Sequence, residues 1–237
     1  MIKWIKEYLK RMWKQHKGLV YAIVAMVLVR FSFVDHYRVP TGSMIPTIMI
    51  GDDIFVYKMA YNLRFPLTDW IVFEVQKPKR GDIVVFKNPK DPSILFVKRL
   101  IGLPGDKVKS INGLLMVNGE SLLKDKTVAP EIEEKLTYSY TPFHFREQYG
   151  DYEYTVQRLP DRFRMENKEF VIPENHYFFV GDNRDNSDDS RSWGMVPYEH
   201  IKGKAMRVFY NFTMEDWTPS FAWRRIAKSL YESKQGE

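Results

Sequence analysis

SILFVKRLIGLPGD, residues Ser93–Asp106, is the stretch on which the fold of this chain turns. Ser93–Ile101 has the aliphatic and aromatic content of a β-strand, and Gly102-Leu103-Pro104-Gly105-Asp106 closes it as a turn. Lys98 interrupts the apolar run. Successive side chains of a strand point to opposite faces, so Lys98 and Arg99 cannot share one. A lysine on an alternating strand is more often turned to solvent than buried. If the strand carries Lys98 inward, however, burial favours the neutral amine, and lysine tolerates that loss of charge where arginine does not.

Outward from this strand the sequence reads as mainly β. Asp53–Lys58 (DIFVYK) and Asp82–Lys87 (DIVVFK) are strand-like runs upstream. Downstream, LLMV is bracketed by Asn112-Gly113 and Asn118-Gly119, dipeptides that supply the positive φ of tight hairpin turns. His176–Val180 (HYFFV) and Lys204–Phe209 (KAMRVF) complete the set. Between Leu123 and Asn167 charged and aromatic residues interleave without a period, which reads as an inserted lobe spanning about 110–175. Phe221–Lys234 (FAWRRIAKSLYESK) predicts a short basic amphipathic helix. Met214, Trp217, Phe221 and Trp223 cluster near it, either as core packing, the more economical account, or as an apolar rim at a membrane surface.

Composition narrows the function. Of 237 residues 44% are hydrophobic, enough for a packed core. The absence of cysteine excludes thiolate zinc sites, disulfides and a cysteine nucleophile. The net charge of +6 could serve nucleic acid or a membrane, and its placement decides. Lys3, Lys6, Lys10, Arg11, Lys14 and Lys17 oppose one acid, Glu7, immediately before the apolar run LVYAIVAMVLV at Leu19–Val29. The run is shorter than the roughly 20 residues a spanning helix needs, though Arg30 can snorkel to lengthen it, and Trp4 and Trp13 suit an interfacial belt. No small-x-small site follows the run, so an uncleaved anchor fits better than a removed leader. The expected organisation is a basic cytoplasmic segment at 1–17, a transmembrane anchor at 18–34, and a domain at 35–237 beyond the membrane, by the positive-inside rule. No nucleic acid is expected as a partner, and oligomeric state is left open.

Ser43 sits in VPTGSMIPTIM, residues Val39–Met49. Gly42 lets the backbone turn sharply before it, and Pro40 and Pro46 stiffen both sides. Most such serines are turn residues. This segment, GDIVVF at Gly81–Phe86, FVKRLIGLPGD at Phe96–Asp106, and GDNRDNSDDSR at Gly181–Arg191 together resemble, in order and spacing, the bacterial type I signal peptidases, membrane-bound serine proteases using a Ser/Lys dyad. The resemblance covers the anchor and most of the outer domain and weakens through Leu123–Asn167.

The resemblance implies a signal-peptidase-like β-rich catalytic domain behind one N-terminal transmembrane helix, with its inserted lobe. Ser43 is then the nucleophile and Lys98 the base. The Ser43 backbone N–H and the Thr41 hydroxyl form the oxyanion hole, with Thr where the family commonly has Ser. Ser187 orients Lys98. Arg99, Asp182, Asp189 and Arg191 support the loop, and Val39, Pro40, Met44, Ile48, Phe96 and Val97 line the apolar substrate pockets. The partners implied are preprotein signal peptides, cut after small-x-small motifs, and the lipid bilayer of the cytoplasmic membrane. No metal and no cofactor is required. Two local look-alikes carry no weight: Ser121-Leu122-Leu123-Lys124 matches S-x-x-K without the accompanying motifs, and GDNRDNSDD lacks the Gly and Glu of a calcium loop. A self-cleaving repressor would need a DNA-binding domain that residues 1–38 cannot form, and a catalytically silent binding module would not need both Ser43 and Lys98.

Overall fold

The computed structural model describes residues 2–65, 68–127, 141–150, 152–160, 162, 166–215 and 218–231. A single helix, α1 (Ile2–Ser32), leads into β1 (Val34–Arg38), where the Lys58 amide donates to the Phe33 carbonyl at 2.9 Å. The side chains at 24, 25 and 27–32, which carry much of the apolar run, lie outside the described residues. No helix among the described residues is long and apolar enough to cross a membrane.

β2 (Asp52–Tyr57) returns antiparallel to β1, and β3 (Asn62–Arg64) with β4 (Ile71–Glu74) forms a small hairpin that projects Trp70, Val72 and Phe73 to solvent. β5 (Ile83–Lys87) and β6 (Leu95–Gly102) pair in the register Val84 opposite Lys98. A side excursion follows. β7 (Lys107–Ile111), β8 (Leu114–Val117) and β9 (Glu120–Ser121) form a meander through Asn112-Gly113 and Asn118-Gly119, whose four residues all have positive φ. β10 (Leu123–Thr127), β11 (Phe143–Tyr149) and β12 (Tyr152–Arg158) make a separate three-stranded sheet, and β13 (Asn167–Val171) closes the excursion against β7. The segment read as aperiodic therefore contains regular strands. Their inward residues include His144, Glu147 and Gln157 as well as Tyr154 and Val156, so binary patterning is blurred by buried polar groups.

The chain returns to the main sheet with β14 (His176–Val180), a short helix α2 (Ser190–Trp193), β15 (Val196–Pro197), the long β16 (Ile201–Glu215) and β17 (Thr218–Phe221). The main sheet runs β1-β2-β16-β5-β6-β14-β15, with β17 on the far end of β16. β16 serves both neighbours through register shifts at Ala205–Arg207 and Val208–Tyr210. One apolar cluster packs Val39, Met44, Ile48, Ile54, Val56, Ile83 and Val208 beneath the Ser43 loop; a second unites Ile101, Val108, Tyr154, Val156 and Phe178 where the excursion meets the sheet.

The C-terminal helix expected over Phe221–Lys234 is not formed in its described part. Phe221 ends β17 opposite Phe212, Trp223–Arg225 is one 3-10 turn, and Ser229 bridges to Arg207. Tertiary anchors override the helical period here: Arg225 is drawn onto Asp52, Leu230 is 3% exposed, and the Tyr231 hydroxyl donates to the Ala205 carbonyl at 3.0 Å. Core packing is likewise corrected for its neighbours. Met214 and Trp223 are 55% and 73% exposed and Phe221 is 37% exposed. Trp217 lies outside the described residues.

Candidate active site

Ser43 stands on the loop between β1 and β2. The loop is closed at its base, where the Val39 amide donates to the Asp52 carbonyl at 2.8 Å and the Gly51 amide to the Val39 carbonyl at 2.9 Å. Its interior is filled by Met44, Ile45 and Ile48, each 0% exposed, so the apolar residues flanking Ser43 anchor the loop from within. Asp52 caps it from below, accepting the Met49 amide at 2.8 Å, and is itself held by Asn211 and Arg225. The Arg225 guanidinium also reaches the Thr47 carbonyl at 3.3 Å.

Lys98 arrives from β6 on the face opposite Arg99, as alternation requires. Its Nζ lies 2.7 Å from Ser43 Oγ and 3.0 Å from the Val97 carbonyl, and the side chains meet with Ser43 7% and Lys98 3% exposed. Burial pushes the amine down to about 8, against the pull of Asp189, Asp188 and Asp182, which favour the charged form. About a tenth of the amine is then neutral at pH 7, with a hydroxyl already within hydrogen-bond reach. This is the geometry in which an amine can take a proton from a serine as the oxygen attacks.

Gly181–Arg191 wraps over the Ser43 loop. The Asn183 amide donates to the Ser43 carbonyl at 3.0 Å, and Asn183 Nδ2 donates to the Gly42 carbonyl at 2.9 Å. Asp182 accepts the Thr47 hydroxyl at 2.5 Å and a bidentate fork from Arg99 at 2.8 and 2.7 Å. Burial alone would raise the Asp189 carboxyl; Arg191, with the Ser187 hydroxyl and the Gly181 amide donating to it, holds it below its ordinary range. Asp185 is engaged by Arg158 at 3.0 Å, so three aspartates of this loop are neutralised by arginines rather than arrayed around a cation. Ser187 is 4% exposed and hydrogen-bonds Asp189. Thr41, two residues before Ser43, is exposed. Val39 is 4% exposed, Pro40 is exposed, and Phe96 and Val97 are half-buried, whereas Met44 and Ile48 lie wholly beneath the surface.

Sequence reasoning missed Asn183, Asp52, Arg225, Glu147 and Arg184. Only Asn183 and Arg184 had any signal, as members of a motif already singled out. Four of the five histidines find partners away from Ser43: His36 with Asp53, His144 with Gln157, His176 with the Glu174 carbonyl and His200 with the Lys87 carbonyl. Ser121 is exposed and Lys124 faces Glu153, as expected of a chance S-x-x-K.

The Arg99–Asp182 pair offers a stability test. With both side chains buried, Asp182→Asn strands the Arg99 guanidinium without its counter-charge, a loss of about 3–5 kcal/mol. Urea denaturation checks this; a loss below about 1 kcal/mol, the range of an exposed pair, would contradict it.

A family model described as "Signal peptidase, peptidase S26" matches residues 12–210. Signal peptidase I of Pseudomonas aeruginosa is 40% identical, with the match covering 81% of this chain and 70% of that protein. Signal peptidase I of Aquifex aeolicus is 34% identical, covering 92% of this chain and 93% of that protein. With both Ser43 and Lys98 inside the matched stretch, the chain belongs to the signal peptidases of peptidase family S26, and its chemistry is peptide hydrolysis.

Proposed function

We propose that this chain removes signal peptides from exported preproteins, cutting after small-x-small motifs, with Ser43 as nucleophile and Lys98 as general base. The observation that carries the proposal is the 2.7 Å separation of Lys98 Nζ and Ser43 Oγ in a nearly water-free contact. In the productive state the neutral amine accepts the hydroxyl proton while Oγ bonds to the scissile carbonyl carbon. The resulting oxyanion is held by the Ser43 backbone N–H and the Thr41 hydroxyl. Lys98 then gives its proton to the departing amine, leaving the signal peptide as an ester on Ser43. Water attacks the ester carbonyl with its proton passing to Lys98, and Lys98 returns that proton to Ser43 Oγ as the C–O bond breaks, releasing the signal peptide with a free carboxyl group and restoring the neutral amine and the hydroxyl.

Ser187, through Asp189, holds the roof of the site in place and orients Lys98. The substrate adds as an extended strand beside Val39–Ser43 and β6. Pro40, Phe96 and Val97 offer its small residues a shallow apolar surface, with Val39, Met44 and Ile48 as the packed layer below. The run Leu19–Val29, with its basic flank, serves as a membrane anchor that leaves the N-terminus in the cytoplasm and residues 35–237 on the outer face, where signal peptides emerge.

The test is cleavage of a preprotein by the intact chain in detergent. The expected product is a mature chain beginning immediately after a small-x-small motif, and a tryptophan placed at the residue before the cut should stop the reaction. No cleavage, or indifference to that tryptophan, would end the proposal. Thr41→Val, which keeps shape and removes the hydroxyl, is expected to lower kcat by about 10²-fold with KM little changed; an unaltered kcat would take Thr41 out of the oxyanion hole. For topology, residues 35–237 should be digested by protease added outside spheroplasts; protection there would contradict the outer placement.

A further inference from the structure

The excursion between β6 and β14 contributes one group to the catalytic loop that none of the roles above uses. Glu147, on β11, and Arg184, in the loop after β14, form an ion pair with side chains only 2% and 1% exposed. The guanidinium forks onto the carboxylate, Nη2 meeting Oε2 at 2.6 Å while Nη1 meets Oε1. The Tyr154 hydroxyl also donates to Glu147 Oε2 at 3.1 Å, and the Tyr154 ring faces the Arg99 guanidinium at 4.1 Å.

Arg184 turns a third donor onto the active-site backbone. Its Nε donates to the Gly181 carbonyl at 3.2 Å. Its own amide donates to the Gln157 carbonyl at 2.9 Å, while the Gln157 amide donates to the Asp182 carbonyl at 2.8 Å, lacing β12 to the same loop. Gly181 packs with no room to spare against Ser187 and the Ser43 carbonyl; a Cβ there would collide with both. Displacement of Gly181 is therefore transmitted directly to the nucleophile's backbone. A buried ion pair adds little net stability over an apolar replacement of equal volume. What its planar fork does add is a fixed direction for the third donor.

We propose that Glu147 is a positioning residue for hydrolysis: by fixing the Arg184 guanidinium it sets the Gly181 carbonyl, and with it Ser187 and the Ser43 backbone, at the alignment catalysis needs. This rests on Ser43 and Lys98 being the nucleophile and base. It gives the excursion a task in the reaction, since the carboxylate comes from a strand outside the main sheet.

The test uses the full chain in detergent with a preprotein substrate, assayed well below every variant's thermal midpoint. Glu147→Gln removes the charge and keeps the shape. Arg184→Lys keeps the charge but cannot bind Glu147 and the Gly181 carbonyl through a rigid fork. Glu153→Gln breaks the more exposed Arg146–Glu153 pair between the same two strands and serves as the control. The expected result is a fall in kcat of about 10- to 10²-fold for the first two variants, with KM within about twofold, and parental kinetics for the control. A lowered thermal midpoint with unchanged kcat, a rise in KM alone, an equal fall in the control, or failure of both Glu147→Gln and Arg184→Lys to fold would each overturn the proposal in favour of a purely structural pair. Full cleavage by Ser43→Ala would instead overturn the dyad beneath it, and that result is read in a chain whose Glu147 and Arg184 are intact.

Discussion

Lys98→Met is expected to abolish hydrolysis and, at neutral pH, to make the chain more stable. The loss of activity should match that of Ser43→Ala, at least about 10⁴-fold in kcat, because a nucleophile and its base act as one unit. The gain in stability follows from the cause of the lowered Lys98 pKa. Burial brings the amine from 10.5 to about 8 in the native state, opposed in part by Asp189, Asp188 and Asp182. Between those two values the unfolded chain binds a proton that the native chain does not, so native stability rises with pH across that window. Below about 8 both states carry the proton, and the native state bears the full cost of a charged amine out of water. At about 1.4 kcal/mol per pH unit this amounts to roughly 3 kcal/mol, less whatever the Ser43 hydrogen bond returns.

Methionine fills nearly the same volume with no charge to desolvate. Urea denaturation at pH 7 should therefore favour the Lys98→Met variant, and the margin should shrink as the comparison moves from pH 8 toward 10.5. The parent's kcat/KM should rise about tenfold for each pH unit below an acid limb near 8, where the neutral amine is the scarce species. A Lys98→Met variant less stable than the parent at pH 7, or an acid limb near 10, would mean that the amine is not desolvated in solution and that proton abstraction from Ser43 needs another base.

The parts of the site legible in the sequence were those written on one strand or one loop. Local pattern sets Lys98 and Arg99 on alternating faces and puts Ser43 at a stiffened bend, but the roles of Ser43 and Lys98 as nucleophile and base rested on the resemblance of four segments taken in order, and the fold brings the two together across 55 residues of sequence. What could not be read locally is pairing at long range. Asp52 with Arg225, Glu147 with Arg184, and Asp182 with Thr47 are separated by 173, 37 and 135 residues, and a lone charge carries no mark of its partner. The same limit accounts for the misplaced C-terminal helix, whose local period was real but lost to Arg225, Leu230 and Tyr231 finding partners in the sheet. The excursion hid its strands because its inward positions hold paired charges and amides, which a hydrophobic pattern cannot register.

Gly181→Ala is expected to cost activity out of proportion to its size. Glycine is required here by approach rather than by φ: the position is flanked by the Ser187 side chain and the Ser43 carbonyl, and an added Cβ meets both at distances real contacts do not reach. One of those neighbours is backbone. It cannot rotate away, and it is already fixed by the Asn183 amide on the Ser43 carbonyl and by Asn183 Nδ2 on the Gly42 carbonyl. The strain must therefore be relieved by moving the loop over the nucleophile, which stretches the Lys98–Ser43 contact or turns Ser187 off Asp189. A misplacement of about 1 Å at a reacting pair costs on the order of 10²-fold in rate, so kcat should fall by that much or more. Gly105 and Gly119, with open space around them, provide the contrast. Alanine there adds backbone strain from their positive φ but touches nothing in the site, so stability should drop modestly while kcat is retained. Steady-state kinetics on the three variants at a temperature where all are folded decides it. A Gly181→Ala chain with parental kcat would mean that the Ser187 and Ser43 segments part without consequence, and the close fit over the nucleophile would then have no bearing on catalysis.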